Sequence, residues 1–547
     1  MSKRTEAASA QRARTKAPAR TKAPAPARAT QPAPAPARTE APARTEAPAR
    51  TEAPARTEAP APARATQPAP APARTEIQAV ADRIYEHSLS IAPFTCHDEN
   101  PEAIDSPLIE WSRYTCAIGA QQSVVAIPRA VPILHSGPGC STKVDALIGQ
   151  GRGYAGGGTI PCTNSGETEV IYGGEDRLRG VIEGSFKVID ADLYVVLTGC
   201  TSDIVGDNVA SVVGDYQLAG HPIVYTETGG FKSNNYVSHE LLVNNIIDQY
   251  VDLNKSSTGA RRGLVNVFAS VPYQDAFWNG NLEEYKRILE GIGLEVNILF
   301  GLDADGIEEW HRIPEAELNI VISAWCGLGI AEHLAERYGT PFLHFPYVPI
   351  GARDTSDFLR QVVDATGQSG KRRAKAEAFV QAEERKFYAH IDTLMDFLLE
   401  FRYGLPREFF TLLDASYALG FTRFLLNEVG IKPAQQFVLD DTPERFREEI
   451  RARFGEVSHL GLRKADVSFL TDAGIAHDLI RTDTKSCRLL IVGSSWERQL
   501  AADIGADLLI VSPPIVYRTI LGATYAGYRG GIRVIEDLYS LVLNVFR

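Results

Sequence analysis

From Asp192 onward, short apolar runs alternate with longer segments of helical periodicity, and few folds accommodate that alternation. Asp192-Leu-Tyr-Val-Val-Leu-Thr198 is apolar without any polar alternation, as expected of a parallel strand covered on both faces. A second strand is expected at 222–225, then a Gly229-Gly230 turn and a helix over about 239–251. A new series begins near Leu264, with strands at 264–268, 295–300, 319–323 and 341–345 and helices at 282–291 and 328–338. Residues 371–402 keep helical periodicity throughout and lead into a third series. That series has strands at 409–413, 436–439, 489–492 and 508–511, helices at 415–429 and 443–454, and a closing helix from about 532. Upstream, 123–127 and 131–134 suit buried strands or short helices, and 175–188 reads as a helix. Such alternation predicts parallel sheets covered by helices. The expected fold class is α/β, with three Rossmann-like parallel-sheet domains at 77–260, 261–402 and 403–547.

Residues 1–76 stand outside this pattern. They are nearly all Ala, Pro, Arg, Thr, Lys and Glu, with Thr-Glu-Ala-Pro-Ala-Arg recurring from Thr39, Thr45 and Thr51. With almost no apolar side chain beyond Ala, this arm buries too little surface to offset its ordering entropy, so it is expected to be disordered. It carries 14 Lys or Arg against 6 Glu, a net of +8, so with the whole chain at −12 residues 77–547 carry −20. So acidic a body argues against nucleic acid and for a protein partner with a basic face. The basic start is followed by no apolar signal region, and no apolar run is long enough to span a bilayer. A cytoplasmic protein without a membrane partner is expected.

Seven cysteines, at 96, 116, 140, 162, 200, 326 and 487, show no Cys-x-x-Cys pairing of the zinc type. Cys116, Cys140 and Cys200 share one kind of setting: Cys116-Ala-Ile-Gly119, His135-Ser-Gly-Pro-Gly-Cys140 and Thr198-Gly-Cys-Thr-Ser-Asp203. Glycine and small residues there let the backbone approach a bulky group, and Cys200 follows a strand's C-terminal end, where open α/β sheets place ligands. Thiolates converging from separate loops suit an iron–sulfur cluster, although free cysteines are also often plain buried small hydrophobes. Three ligands are one short of a four-iron site, which a cluster shared across a subunit interface would resolve. Cys326 follows a strand and keeps a possible functional role; Cys487 reads as structural. His135 reads as a hydrogen-bonded core or loop histidine, and Asp203 and Asp207 as caps of the helix after Cys200.

Those segments, with Val170-Ile-Tyr-Gly-Gly174, Pro349-Ile-Gly-Ala-Arg-Asp-Thr-Ser-Asp-Phe358 and Gly527-Tyr-Arg-Gly-Gly-Ile532, resemble nitrogenase component 1 and its relatives in order and spacing. The resemblance implies the nitrogenase component 1 fold. It also implies that Cys116, Cys140 and Cys200 supply half of an interface P-cluster ([8Fe-7S]), the other half coming from an α-type subunit in an α2β2 assembly. In that family the α-type chain holds the catalytic cofactor through a cysteine in its second domain and a histidine near the C-terminus. Here 513–531 has no histidine, the last in the chain is His477, and Cys326 is displaced by about one helical turn. The chain therefore resembles the β-type subunit, passing electrons from an ATP-dependent iron protein toward a cofactor in its partner. Tyr172 occupies the aromatic position of the iron-protein docking surface, or else packs beneath the helix that starts at Gly173-Gly174.

Two departures bear on the reaction. Gly229-Gly-Phe231 stands where nitrogenase β chains have Pro-Ser-Phe, and Lys143 where they have tyrosine. The expectation is a nitrogenase-like reductase, with a methylthio-alkane reductase as the first relative to name. The alternatives are the β-type chain of a true Mo, V or Fe-only dinitrogenase, a cofactor-assembly scaffold, and a metal-free α/β binding protein.

Overall fold

The computed structural model describes residues 116–140, 142, 160–252, 259–401, 404–461, 463–483, 487–516 and 518–544. The arm 1–76, Cys96, Lys143 and the glycine run 151–158 lie outside the described residues.

Strand β2 (Leu193–Thr198) is buried along its whole length. It lies between β1 (Ala130–His135) and β3 (Ile223–Thr226), all parallel, in the order β1-β2-β3. Successive side chains point to opposite faces. Tyr194 and Val196 pack with Leu178, Ile182, Val209 and Val213 from the helices Glu175–Val188 and Val209–Leu218. Leu193, Val195 and Leu197 join the main core with Leu242, Val243 and Ile246 of the helix Asn235–Ile246. Both faces of the strand are covered, hence the unbroken apolar run.

The second sheet contains β4 (Arg261–Phe268), β5 (Glu295–Asn297), β6 (Ala316–Ile322) and β7 (Phe342–Phe345), ordered β5-β4-β6-β7. The third contains β8 (Glu408–Leu413), β9 (Lys432–Val438), β10 (Val467–Phe469), β11 (Leu489–Gly493) and β12 (Asp507–Ile510), ordered β10-β9-β8-β11-β12. Every pairing in both is parallel. The α/β class with three parallel sheets is the one the alternation predicts. Among the described residues no helix is long and apolar enough to cross a membrane.

Several boundaries differ from expectation for identifiable reasons. The strand expected over 295–300 ends at Asn297, because Ile298, Leu299 and Phe300 leave the sheet to bury themselves in the core. The helix Gly351–Ala365 has no apolar periodicity in its first two turns, since its buried face includes Asp354, Thr355 and Ser356. Asp354 is matched there by Arg423 at 2.8 Å. The closing helix is Gly527–Asn544 and begins five residues before the expected start. Gly530 and Gly531 look like helix breakers, but they are glycine because of contact: a Cβ on Gly531 would lie 2.4 Å from the Gly351 Cα. This last helix packs on Trp278–Gly291, Gly351–Ala365 and Gly370–Phe401, with Tyr528 Oη 2.9 Å from Ser356 Oγ.

Candidate functional site

The first sheet arranges the cysteine-bearing loops. Its register sets His135 beside Thr198 and Leu197 beside Thr226, so the chain leaves β1, β2 and β3 at one edge, the C-terminal ends of neighbouring strands. From β1 it runs through Ser136-Gly-Pro-Gly to Cys140, from β2 through Gly199 to Cys200, and from β3 through Glu227-Thr-Gly to Gly230. Side-chain bonds hold these exits together. Ser202 Oγ donates to His135 O at 2.7 Å, and Thr228 Oγ1 donates to Thr198 O at 2.7 Å. Gly199 must lack a side chain, because a Cβ there would fall 2.0 Å from Ser136 Oγ.

Cys116 reaches the same edge from upstream. It forms an isolated antiparallel bridge with Asn234, just past the Gly229-Gly230 turn. Cys116 and Cys200 thereby face each other across Gly230: an ideal Cβ on that glycine would lie 3.0 Å from Cys116 Sγ and 3.1 Å from Cys200 Sγ. The Gly230 N–H donates to Cys200 Sγ at 3.1 Å. Even a methyl group would crowd both sulfurs, and a backbone amide already bonds one of them. Two thiols around a side-chain-free point, with an N–H directed at sulfur, make a donor set and a space that fit an iron–sulfur cluster.

Cys140 is exposed, in the short helical stretch that begins at Pro138 after β1. Among the described residues no three His, Cys, Asp or Glu side chains converge as a site for a metal ion. Cys116 and Cys200 come together; Cys140 stands at the adjacent strand's exit. Cys162 lies near Cys140, and burial, with a smaller contribution from Cys140, pushes its thiol up. None of the six described cysteines is in a disulfide. Cys326 lies elsewhere, beside a cavity of about 40 Å³ lined by Tyr236, Asp275, Ser323, Asp414 and Tyr417. Burial pushes its thiol well above the ordinary value, which keeps it protonated. Cys487 is half-buried against the apolar cluster on one face of the third sheet, a structural position.

The two acids after Cys200 do not cap its helix. Gly199 is the N-cap of Cys200–Val205, and Asn208 caps the next helix through Ser211 N–H. Asp207 instead accepts the Gly174 N–H at 2.8 Å, capping Glu175–Val188, and its other oxygen meets His135 Nε2 at 2.9 Å. The His135 ring is fully buried, and burial lowers its pKa despite that carboxylate, so it is the hydrogen-bonded core histidine the sequence suggests. Asp203 accepts the Gly229 N–H at 3.0 Å and pairs with Lys232 at 2.8 Å. Lys232 and the Gly230 contact are not evident in the sequence. The available signal is an acid three residues after Cys200 together with a lysine two after Gly230.

Tyr172 ends the short helix Glu167–Tyr172 and is 82% exposed, so it does not pack beneath the following helix start. Gly173, at φ 91°, turns the chain sharply there and leaves Val170, Ile171 and Tyr172 outside. Ile204, on the helix that Cys200 begins and in contact with this one, is also exposed. An apolar surface thus lies over the cysteine-bearing edge, and adjoining large apolar side chains exposed together are uncommon on soluble proteins without a binding role.

Comparison with known proteins identifies the family. The nitrogenase component 1 type oxidoreductase family matches residues 115–543. The nitrogenase molybdenum-iron protein beta chain of Clostridium pasteurianum is 21% identical, over 79% of this chain and 92% of its own length. The vanadium-iron protein beta chain of Trichormus variabilis is 22% identical, over 76% and 90%. A chain of the light-independent protochlorophyllide reductase of Halorhodospira halophila is 23% identical, over 66% and 65%. In structure, a chain of nitrogenase Cp1 at pH 6.5 superposes with a TM-score of 0.66 at 19% identity, covering 84% of this chain and 97% of that one, a likeness of fold. With the family match extending over most of the sequence, the chain belongs to the nitrogenase component 1 type oxidoreductases, and its likeness among them is to β chains.

Proposed function

We propose that this chain is the β-type subunit of a nitrogenase-like reductase and holds half of a P-cluster through Cys116, Cys140 and Cys200. The observation that carries the proposal is the convergence of Cys116 and Cys200 on Gly230, at the edge where the loop of Cys140 also emerges. Bound there with an α-type subunit supplying the other ligands, the cluster would provide one-electron transfer at low potential. The chain's own contribution is positional. Gly230 keeps the space between the two sulfurs free of side chains, and its N–H bonds one of them. Ala117, Ile118 and Ala120, all buried, exclude water behind Cys116. The exposed Val170–Tyr172 surface is where an ATP-dependent iron protein would dock.

The reacting atoms belong to the partner's cofactor, and we propose a small organic sulfur compound of the methylthio-alkane type as substrate. Gly230, where by the resemblance described above dinitrogenase β chains carry serine, favours a nitrogenase-like reductase over a dinitrogenase. A true dinitrogenase β-type chain is the second reading, supported by the molybdenum and vanadium β chains among the relatives.

The test is anaerobic co-purification with an α-type partner, followed by iron analysis, EPR and turnover with an iron protein and ATP. Cys200→Ala is expected to remove the P-cluster signal and abolish turnover; an intact cluster in that variant would refute the assignment. Assaying the same complex for hydrocarbon release from a methylthio-alkane and for ammonia from dinitrogen decides between the two readings.

A further inference from the structure

Asp203, Lys232 and the Gly229-Gly230 turn form one fastening beside Cys200. Asp203 lies one helical turn after Cys200, and its side chain is 6% exposed. Its Oδ2 accepts two bonds, from the Gly229 N–H at 3.0 Å and from Lys232 Nζ at 2.8 Å. Lys232 Nζ also reaches Glu227 Oε2 at 2.6 Å, and the Lys232 N–H closes the turn onto Gly229 O at 2.8 Å. The fit leaves no slack, since a Cβ on Gly229 would lie 2.3 Å from Asp203 Oδ2. Desolvation opposes the charge on Lys232, but its bonds to Asp203 and Glu227 prevail and hold its pKa above the ordinary value. The turn is therefore bound to the Cys200 helix on one side of Gly230 and pinned by an ammonium on the other. Between these two points, the Gly230 N–H meets Cys200 Sγ at 3.1 Å.

We propose that Asp203 and Lys232 are positioning residues that hold the Gly230 N–H on the Cys200 sulfur and so set the reduction potential of a cluster ligated there. An N–H bonded to a ligating sulfur and a nearby positive charge both favour the more negative, reduced state and raise the potential. Lys232 supplies the charge and fixes the turn that supplies the N–H. Removing it acts in one direction on both counts, because Asp203 and Glu227 are also left uncompensated. The inference rests on the cluster assignment above and adds which residues outside the ligand set control its potential.

The experiment uses the complex co-purified anaerobically with its α-type partner. Iron content, the EPR midpoint potential and the exchangeable-proton coupling on the cluster signal after transfer to D2O are measured for wild type, Lys232→Met and Lys232→Arg. Lys232→Met is expected to keep its iron, to show a lower midpoint potential and to lose part of the exchangeable-proton coupling; Lys232→Arg restores both. An iron-loaded Lys232→Met complex with the wild-type potential and coupling overturns the inference. If Lys232→Met does not load iron, Glu227→Gln is read instead; it removes one negative charge while leaving the Asp203 contacts in place. Its potential is expected to rise, and an unchanged value overturns the inference equally. A wild-type complex with no cluster signal would defeat the cluster assignment itself, an outcome distinct from either of these.

Discussion

His135 Nε2 lies 2.9 Å from Asp207 Oδ2, and the other oxygen of that carboxylate accepts the Gly174 N–H at 2.8 Å. One buried side chain thus ties the end of β1, the segment after Cys200 and the start of the helix behind Tyr172. Asp207→Ala leaves a buried ring nitrogen and a helix N-terminal N–H without partners, a cost of about 3 kcal/mol. Asp207→Asn is expected to cost less than half as much. Its amide oxygen can still cap Gly174, and its NH2 can donate to His135 once the imidazole proton moves to Nδ1, facing Thr163 Oγ1 at 3.2 Å. Chemical denaturation of the two variants checks the order.

Tyr172 buries little of itself in this chain, so Tyr172→Ala is expected to leave the denaturation midpoint unchanged. If the surface docks an iron protein, the same variant weakens that association by about tenfold or more, as truncating an aromatic anchor commonly does. Titration of the complex with the reductase measures the effect. A full-strength association would place docking elsewhere.

Gly230→Ala adds a methyl group 3.0 to 3.2 Å from Cys116 Sγ, Cys116 Cβ and Cys200 Sγ. The sulfurs must move apart by a few tenths of an ångström. The expected result is a folded complex with an altered EPR line shape or reduced iron content, and an unchanged spectrum at full iron would show that the two sulfurs do not bind one cluster.

His239 is buried on the helix Asn235–Ile246 with Ser123 Oγ 2.7 Å from Nδ1, and burial alone lowers its pKa to about 4. Between that value and the ordinary 6.5, the unfolded chain binds a proton that the folded chain refuses. Stability from this group therefore falls as pH drops, by about 2 kcal/mol from pH 7 to pH 5. Asp414 and Glu428 act in the opposite sense. Burial raises both to about 7, so the folded state takes up their protons first and gains stability on acidification. His239→Gln isolates the histidine: between pH 7 and pH 5 its stability should change more favourably than that of wild type by about 2 kcal/mol, measured by urea denaturation at each pH.

The parts of this fold legible in the sequence are those set by local pattern. The run ending at Thr198 has to be a covered strand, and Leu328–Tyr338 has both the periodicity and a following glycine, so its bounds match expectation. The helix Gly351–Ala365 is hidden because the buried face of its first two turns is polar, with Asp354 satisfied by Arg423, a residue far along the chain. The candidate site divides in the same way. Glycine-flanked thiols mark Cys116, Cys140 and Cys200 without any structure. Asp207 and Asp203 look like local caps because a short acid near a helix start usually is one. Their partners, Gly174, His135, Gly229 and Lys232, are brought to them only by the packing of β1, β2 and β3.

Gly531→Ala tests the packing of the final helix. A methyl group 2.4 Å from the Gly351 Cα cannot be accommodated without moving backbone, and the Phe387 ring stands 2.9 Å away on another side. Overpacking of this kind costs about 3 kcal/mol or more, and a lowered melting temperature of the purified protein is the expected readout.

The same helix governs when folding can finish during synthesis. Gly527–Asn544 leaves the ribosome after the third sheet, yet it covers helices that flank the middle sheet and were made long before it. Until that helix emerges, Phe387 and the surface around Gly351 have no lid, however long ago their own residues emerged. The helices over the middle sheet therefore finish packing only after the third sheet has been made, and a nascent chain stalled short of Gly527 presents a sticky, unfinished surface that chaperones would have to shield.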